Sequence, residues 1–242
     1  MESNRGTSNP NPGINAGAPK RRGWRIVIAG TGGQGVVTAA RLLCECFVER
    51  GHEVVSGQLH GMAQRGGAVQ SSVIIDGGIV PMIAAGRADF VVGLEPVETV
   101  RALPLMSSRT TVYMNTTPVM PFVLAQRAVR EGQPRILGAV PTTKTPLALQ
   151  SKYPEVVELE RCIRAVTNNL VKLDATQLAA EASSSAVLNV VMLGCLLGSA
   201  GLPCTADAFS DFVAARSPGA LREANVKAFR LGVEAVKAGD AG

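Results

Sequence analysis

A glycine-rich turn between an apolar strand and a helix is the feature that most constrains the fold. The segment GTGGQG, residues 30–35, follows an apolar run that predicts a strand at 25–30. After the turn, apolar residues recur at helical spacing over residues 35–50. Three glycines satisfy the G-x-G-x-x-G pattern of dinucleotide-binding turns, namely Gly30, Gly32 and Gly35. The sequence therefore predicts an α/β fold that opens with a strand, a tight turn and a helix.

Strands and helices alternate along most of the remaining chain. Further strands are predicted at 53–56, 68–75, 90–94, 110–115 and 170–173. Further helices are predicted at 96–102, 121–131 and 154–168, before a mainly helical C-terminal part. We expect a single Rossmann-like α/β domain over residues 24–242, with a mostly parallel sheet and helices on both faces. Its core would be aliphatic, because 46% of the residues are hydrophobic and only 4% are aromatic.

Two segments lie outside this alternating pattern. Residues 1–23 are rich in Asn, Gly and Pro and are predicted to form a disordered arm. Residues 132–152 are predicted to form a Pro-rich excursion from the domain. The arm carries four basic residues and one acidic residue, so it supplies +3 of the net charge of +5. Because the rest of the chain is nearly neutral and has no recognisable nucleic-acid module, we expect no nucleic-acid partner.

The cysteines and the amino-terminal segment bear on cofactors and compartment. No C-x-x-C motif is present. The five cysteines occur at irregular spacing, at Cys44, Cys46, Cys162, Cys195 and Cys204. This pattern argues against a zinc ribbon or a cysteine-ligated iron–sulfur cluster on this chain, and favours buried thiols in a reducing cytoplasm. The arm lacks the apolar stretch of a signal peptide. We therefore expect a cytoplasmic protein with no metal site of its own.

An apolar stretch near the C-terminal end resembles a membrane span only in composition. It runs for 17 residues, from Ala186 to Leu202, and contains the G-x-x-x-G spacing of Gly194 and Gly198. It is shorter than the ~20 residues that cross a bilayer, and Asn189 lies inside it. We expect a buried core or interface helix, with the glycines allowing another helix to approach closely.

The second half of the dinucleotide fingerprint is missing. A carboxylate that binds the ribose hydroxyls normally ends the next strand, about 20 residues after the first glycine. Residues 54–58 read VVSGQ, which offers neither Asp nor Glu, and Glu53 stands at the beginning of that strand. Gly33 and Gln34 are also better suited to close packing or hydrogen bonding than to a diphosphate. A stand-alone NAD(P)- or flavin-binding oxidoreductase remains an alternative, as does a small-ligand or nucleotide-binding regulator.

A second unusual loop, HGMAQRGG at residues 60–67, follows the second strand. Loops at the carboxyl ends of parallel strands collect at one edge of the sheet, so this loop is expected beside residues 30–35. Two glycine-rich loops would then face one partner. The alternative is a tight turn that joins two strands and leaves Arg65 solvated.

Five short motifs occur together in one order along the chain. They are GTGGQG at 30–35, HGMAQRGG at 60–67, GLEP at 93–96, NTTP at 115–118 and NVVMLG at 189–194. In this combination the chain resembles the gamma domain of 2-oxoacid:ferredoxin oxidoreductases over about residues 24–235. The indolepyruvate enzymes of that family, in which the corresponding chain is the small beta subunit, are the most similar.

The resemblance implies an enzyme that oxidatively decarboxylates an aryl or branched 2-oxoacid and transfers the acyl group to coenzyme A. Electrons pass through 4Fe-4S clusters to ferredoxin. In that family the large subunit carries thiamine diphosphate, Mg and the clusters, and the two kinds of subunit form a heterotetramer or a larger complex. Asn168 and Asn169 lack the upstream Gly-Asp-Gly of a thiamine site, which agrees with this division. The isolated chain is expected to be inactive and to bind no cofactor alone.

We therefore assign no catalytic residue to this chain. The candidate residues for a substrate, coenzyme A or subunit-interface site lie in the two loops and at one strand end. They are Gly30, Gly32, Gly33, Gln34, Gly35, His60, Met62, Gln64, Arg65, Gly66, Gly67 and Asn115. In this hypothesis Arg65 pairs with a carboxylate or phosphate. The alternative is a packing surface that docks the large subunit without contacting a ligand.

Overall fold

A six-stranded sheet organises the computed structural model, which describes residues 23–60, 67–119 and 153–239. The strands are β1 (Trp24–Thr31), β2 (Val54–His60), β3 (Ala68–Ile75), β4 (Phe90–Gly93), β5 (Thr111–Asn115) and β6 (Leu170–Leu173). They lie in the order β2-β3-β1-β4-β5-β6. Strands β1, β4, β5 and β6 pair in parallel, whereas β3 pairs antiparallel with both β1 and β2. Five strands therefore point in one direction and only β3 runs against them.

Helices cover both faces of the sheet. They are α1 (Val36–Glu49), α2 (Pro96–Arg101), α3 (Val156–Arg164), α4 (Ala175–Ala182), α5 (Leu188–Ser199), α6 (Ala206–Arg216) and α7 (Gly219–Gly239). Because side chains alternate along a strand, Ile26 and Ile28 of β1 face α1, α5, α6 and α7, whereas Val27 faces the α2 and α3 side. The predicted α/β class, the covered faces and the helical C-terminal part are confirmed.

The hairpin of β2 and β3 differs from the sequence-based expectation in two respects. The predicted strand at 53–56 is longer in the structure, because β2 pairs with β3 as far as His60 opposite Val69. Strand β3 is antiparallel and lies between β1 and β2, so the glycine turn and the second strand are not direct neighbours. A hydrophobic pattern of period two predicts a strand but carries no information on its direction.

Some predicted segments lie outside the described residues. These are the arm up to residue 22, the predicted helix at 121–131 and the Pro-rich excursion at 132–152. The assignment of residues 24–242 to one domain therefore stays a prediction.

Helices α5 and α7 cross at very short range, as the G-x-x-x-G spacing predicts. A Cβ atom at Gly194 would overlap the backbone carbonyl of Phe229, and one at Gly232 would overlap that of Val191. Helix α5 is buried over nearly its whole length. Among the described helices none alone is long and apolar enough to span a bilayer; α4 and the segment 185–199 satisfy that test only jointly, across a bend of 117°.

Candidate functional site

The glycine turn is filled by the side chain of its own glutamine. Gln34 Oε1 accepts a hydrogen bond of 2.8 Å from the Thr31 amide, and Gln34 Nε2 donates one of 3.0 Å to the Leu94 carbonyl. A Cβ atom at Gly30 would lie 2.8 Å from that Oε1, so only glycine leaves room for it. The prediction that Gln34 suits hydrogen bonding within the loop is confirmed. The pattern G-x-G-x-x-G here holds an amide side chain in the turn.

The start of α1 is packed against the NVVMLG segment at the start of α5. Gly35, the N-cap of α1, has a φ of 80° in the left-handed region that favours glycine. Asn189 Nδ2 donates to the Gly35 carbonyl over 3.3 Å, and a Cβ atom at Gly35 would lie 2.6 Å from that nitrogen. Two motifs that are far apart in the sequence therefore meet through a close contact that requires glycine.

The described end of the second loop, Gly67, lies beside the first loop. The Gly32 amide donates a 2.9 Å hydrogen bond to the Gly67 carbonyl, which joins the first loop to the end of the second. This contact continues the antiparallel pairing of β1 with β3, in which Thr31 lies opposite Ala68, and does not arise from a parallel strand at this position. The Gln34 amide is also occupied, by the Thr31 carbonyl at 3.1 Å. Three of the turn's amides, those of Thr31, Gly32 and Gln34, are therefore bound within the protein, which leaves them unable to bind a diphosphate.

Asn115 joins the ends of β4 and β5 to the start of α4. Its side chain is fully buried, and Nδ2 donates to the Leu94 carbonyl at 3.0 Å and to Thr176 Oγ1 at 3.1 Å. Its Oδ1 accepts from the Ala175 amide at 3.0 Å. The Leu94 carbonyl consequently receives both Asn115 and Gln34. Three of the five motifs meet at this one oxygen, where Asn115 fixes the ends of β4 and β5.

The remaining candidate residues are only partly within the described chain. Gly33 is exposed at the tip of the first loop. The backbone of His60 ends β2, but its side chain is outside the described part of the structure. The other candidates of the second loop also lie outside the described residues, namely Met62, Gln64, Arg65 and Gly66. Their contribution to a site stays a prediction.

A buried carboxyl group at Glu95 was not among the sequence-based candidates. It caps α2, accepting a 2.9 Å hydrogen bond from the Glu98 amide, and is only 1% exposed. The Tyr153 hydroxyl donates to Glu95 Oε1, as does the Val119 amide over 3.4 Å. Burial raises the pKa of Glu95, and the hydrogen bond from Tyr153 opposes this rise. Glu95 therefore binds both Val119 and Tyr153, the described residues on either side of the segment 120–152.

A small cleft beside these groups contains a second perturbed carboxyl group. The cleft has a volume of about 280 Å³ and is lined by Ala29, Leu59, Ala68, Val69, Gln70, Glu98 and Arg101. Burial raises the pKa of Glu98 to about 7, and Arg101, whose Nε lies 3.3 Å from Glu98 Oε1, opposes the rise. Leu59 and Ala68 place the cleft next to the second loop.

Glu98 makes the stability of the fold depend on pH. Its pKa is raised from 4.5 to about 7, so its contribution is fully present below pH 4.5 and is lost as pH rises through about 7. We expect Glu98→Gln to flatten this decline, by about 1–2 kcal/mol in the free energy of unfolding. Urea titrations at pH 4.5, 6 and 8 would measure it. Glu234→Gln, which alters an exposed carboxylate on α7, is the control; equal slopes in both variants would contradict the prediction.

A larger cleft of about 1010 Å³ lies at the opposite edge of the sheet. It is lined by residues at the amino ends of the strands, including Arg25, Asp89 and Arg109, and by Asn168 and Asn169. None of the candidate site residues that the structure describes lines it. The described motif residues therefore lie at a different edge of the sheet from this cleft. Within the described ranges, no three His, Cys, Asp or Glu side chains are grouped as metal ligands.

The fold and the filled turn define a Rossmann-like chain whose first βα turn is closed by its own side chains. The pyruvate ferredoxin/flavodoxin oxidoreductase family model matches residues 25–235. The chain belongs to this family, so the family inferred from the motifs is confirmed. Membership makes it part of an oxidoreductase.

Individual proteins agree with this assignment. The chain is 31% identical over 216 residues to the indolepyruvate oxidoreductase subunit IorB of Pyrococcus horikoshii, covering 88% of this chain and 96% of that protein. The gamma subunit of a keto/oxoacid ferredoxin oxidoreductase from Geobacter sulfurreducens has the same fold, with a TM-score of 0.58, 23% identity, and coverage of 89% and 99%.

A third comparison places the same fold inside a longer protein. The 2-oxoglutarate:ferredoxin oxidoreductase of Magnetococcus marinus, solved with 2-oxoglutarate, coenzyme A and succinyl-CoA, matches with a TM-score of 0.57 and 14% identity. The match covers 90% of this chain but 32% of that one. In that enzyme the fold is therefore one part of a larger polypeptide.

Proposed function

We propose that this chain is the small, gamma-type subunit of a 2-oxoacid:ferredoxin oxidoreductase that acts on indolepyruvate or another aryl 2-oxoacid. The reaction converts the 2-oxoacid and coenzyme A into acyl-CoA and CO2, and reduces ferredoxin. The observation that carries this proposal is the match to nearly the full length of an indolepyruvate oxidoreductase subunit. A large partner subunit would bind thiamine diphosphate, Mg and the 4Fe-4S clusters, in a heterotetramer or a larger cytoplasmic complex.

The geometry supports an organising role for this chain. Three motif side chains make hydrogen bonds within the chain. Gln34 and Asn115 donate to the Leu94 carbonyl, and Asn189 donates to the Gly35 carbonyl. A turn whose polar groups bind one another presents a fixed outer surface. We infer that this surface, with the second loop, meets the large subunit at the approach for substrate or coenzyme A.

Co-expression with the large subunit tests the proposed function. We expect the purified complex to reduce ferredoxin when both indolepyruvate and coenzyme A are present, and neither subunit alone to do so. Phenylpyruvate and 2-oxoglutarate in parallel assays would define the substrate class. Saturable binding of NADH to the isolated chain would instead favour the stand-alone dinucleotide enzyme.

Arg65 is the residue of the second loop with the clearest expected effect. In the assembled complex, Arg65→Ala should raise the KM for coenzyme A or for the 2-oxoacid about tenfold, because a charged partner for a phosphate or carboxylate is lost. Arg65→Lys should recover part of the loss. Steady-state kinetics with each substrate varied would measure this.

Arg109→Ala is the matched control for Arg65. It removes an exposed arginine from the cleft at the opposite edge of the sheet. Its kinetic constants should equal those of the unaltered complex. If Arg65→Ala also assembles normally and leaves both KM values unchanged, the loop has no ligand role and serves only in docking.

A further inference from the structure

Two thiols from distant parts of the sequence lie together in the described structure. Cys46 in α1 and Cys204 in the segment before α6 have their sulfur atoms 3.8 Å apart, at positions separated by 158 residues. Cys46 is fully buried and Cys204 is 7% exposed. The pair lies beneath the surface near the amino end of α6.

An arginine side chain is placed directly against this pair. Arg50 Nη1 lies 2.9 Å from Cys46 Sγ and donates to the Cys46 carbonyl at the same distance. Arg50 Nη2 donates to the Ala208 carbonyl over 2.9 Å, so the guanidinium also joins α1 to α6. The positive charge is therefore held in a fixed position beside the sulfur atoms and favours loss of a thiol proton.

The hydrogen bond between the sulfurs shifts the pKa values of the two thiols in opposite directions. It lowers the pKa of Cys204, against the effect of burial and with help from the Arg50 charge. The same hydrogen bond, together with burial, raises the pKa of Cys46. The two thiols share a proton as a unit, and the first proton of the pair leaves more readily than that of an isolated buried thiol.

We propose that Cys46 and Cys204 form a redox-active dithiol that peroxide oxidises to a disulfide. The Cys204 thiolate, which is the more exposed of the two, attacks one oxygen of hydrogen peroxide and becomes a sulfenic acid, and the other oxygen leaves as water after protonation. The Cys46 thiol then displaces the sulfenic oxygen as a second water. In sum two thiols and one peroxide give one disulfide and two waters, and the two electrons lost by sulfur reduce the peroxide.

Disulfide formation requires the two sulfurs to approach each other. A disulfide bond is about 2.05 Å long, so the sulfurs must move closer by about 1.8 Å. Cys204 lies in the short non-helical segment between α5 and α6, which also contains Gly201, whereas Cys46 is held within α1. Movement of that segment toward α1 would bring the sulfurs together without unfolding a helix.

The remaining cysteines provide internal controls. Cys162 is exposed, and Cys195 is fully buried with its pKa raised to about 12 by burial. All five cysteines are free thiols in the structure, but the expectation that they are buried holds only for Cys46, Cys195 and Cys204. Cys162 lies on the exposed side of the amphipathic helix α3. If Cys46 and Cys204 are oxidised while Cys162 stays a thiol, the reactivity comes from the contact between the two sulfurs and not from solvent exposure of a thiol.

Peptide mapping after mild oxidation tests the proposal. The full-length protein is treated with equimolar hydrogen peroxide, alkylated, digested without reductant and analysed by mass spectrometry. We expect a Cys46–Cys204 linked peptide, reversed by dithiothreitol, to form at least about tenfold faster than any oxidation of Cys162. Alkylated Cys46 and Cys204 beside oxidised Cys162, or linkage of a different pair, would overturn it.

Variants separate the roles of the two sulfurs and the arginine. Cys46→Ser should leave Cys204 as a sulfenic acid that dimedone traps, whereas Cys204→Ser should leave Cys46 unoxidised. Arg50→Gln should slow disulfide formation about tenfold, because the neighbouring positive charge is lost. An unchanged rate in Arg50→Gln would overturn the role of Arg50. The mapping of the unaltered protein decides the main point even if a variant fails to fold.

Discussion

Replacing Gly232 with alanine is expected to lower the free energy of unfolding by about 3 kcal/mol or more. The new Cβ atom would overlap the carbonyl of Val191 and lie 3.1 Å from the Cys195 amide nitrogen. Both are backbone atoms of α5, so no side chain can rotate away to relieve the contact. Helices α5 and α7 would have to separate, which opens the core on that face of the sheet. Urea denaturation followed by far-UV circular dichroism would measure the loss.

Gly219→Ala is the control on the same helix. Apart from its chain neighbours and the backbone of its own helix turn, no described atom lies within 4 Å of the position that its Cβ would occupy. Because alanine is the better helix former, this change should be neutral or slightly stabilising. A Gly232→Ala protein that loses less than about 1 kcal/mol would contradict the account of the helix crossing.

Gln34→Glu is expected to destabilise the protein by about 2 kcal/mol at pH 8 and much less at pH 5. At pH 8 the new carboxylate oxygen would face the Leu94 carbonyl, where the native Nε2 now donates. Two acceptors repel there, so the folded state raises the pKa of the introduced carboxyl group. The protonated form can donate to the same carbonyl, so stability is present at low pH and is lost as pH rises.

Gln34→Met separates the effect of charge from that of shape. It fills a similar volume but neither accepts from the Thr31 amide nor donates to the Leu94 carbonyl. Its stability loss should be nearly independent of pH between 5 and 8. Thermal or urea unfolding at both pH values would compare the three proteins. A Gln34→Glu loss that is equal at the two pH values would refute the assigned hydrogen bond.

The glycine pattern was sufficient to predict the first unit of the fold. The predicted strand at 25–30 and helix at 35–50 correspond to β1 and α1 within a few residues. The sequence also predicted that Gln34 is unsuited to a diphosphate loop, because an amide side chain at that position can form hydrogen bonds with the turn itself. The sequence pattern did not predict the direction of β3, because its pairing with β2 and β1 is fixed by a hairpin and by contacts across the sheet.

The buried carboxyl group shows where local sequence fails. Glu95 precedes Pro96, which identifies a helix start and would have justified a capping role. Its burial depends on Tyr153, which is 58 positions away and follows a long segment of irregular sequence. The pairing of Cys46 with Cys204 is similar, since nothing in their spacing indicates a contact. Long-range pairs of this kind need the assembled fold.

The junction at the Leu94 carbonyl has a consequence for molecular association. Since Gln34 and Asn115 already hold that oxygen in the free chain, the turn keeps its shape before any other molecule arrives. If the proposed complex forms at this edge, little conformational entropy is lost in ordering the turn. We then expect association without a slow rearrangement of the turn.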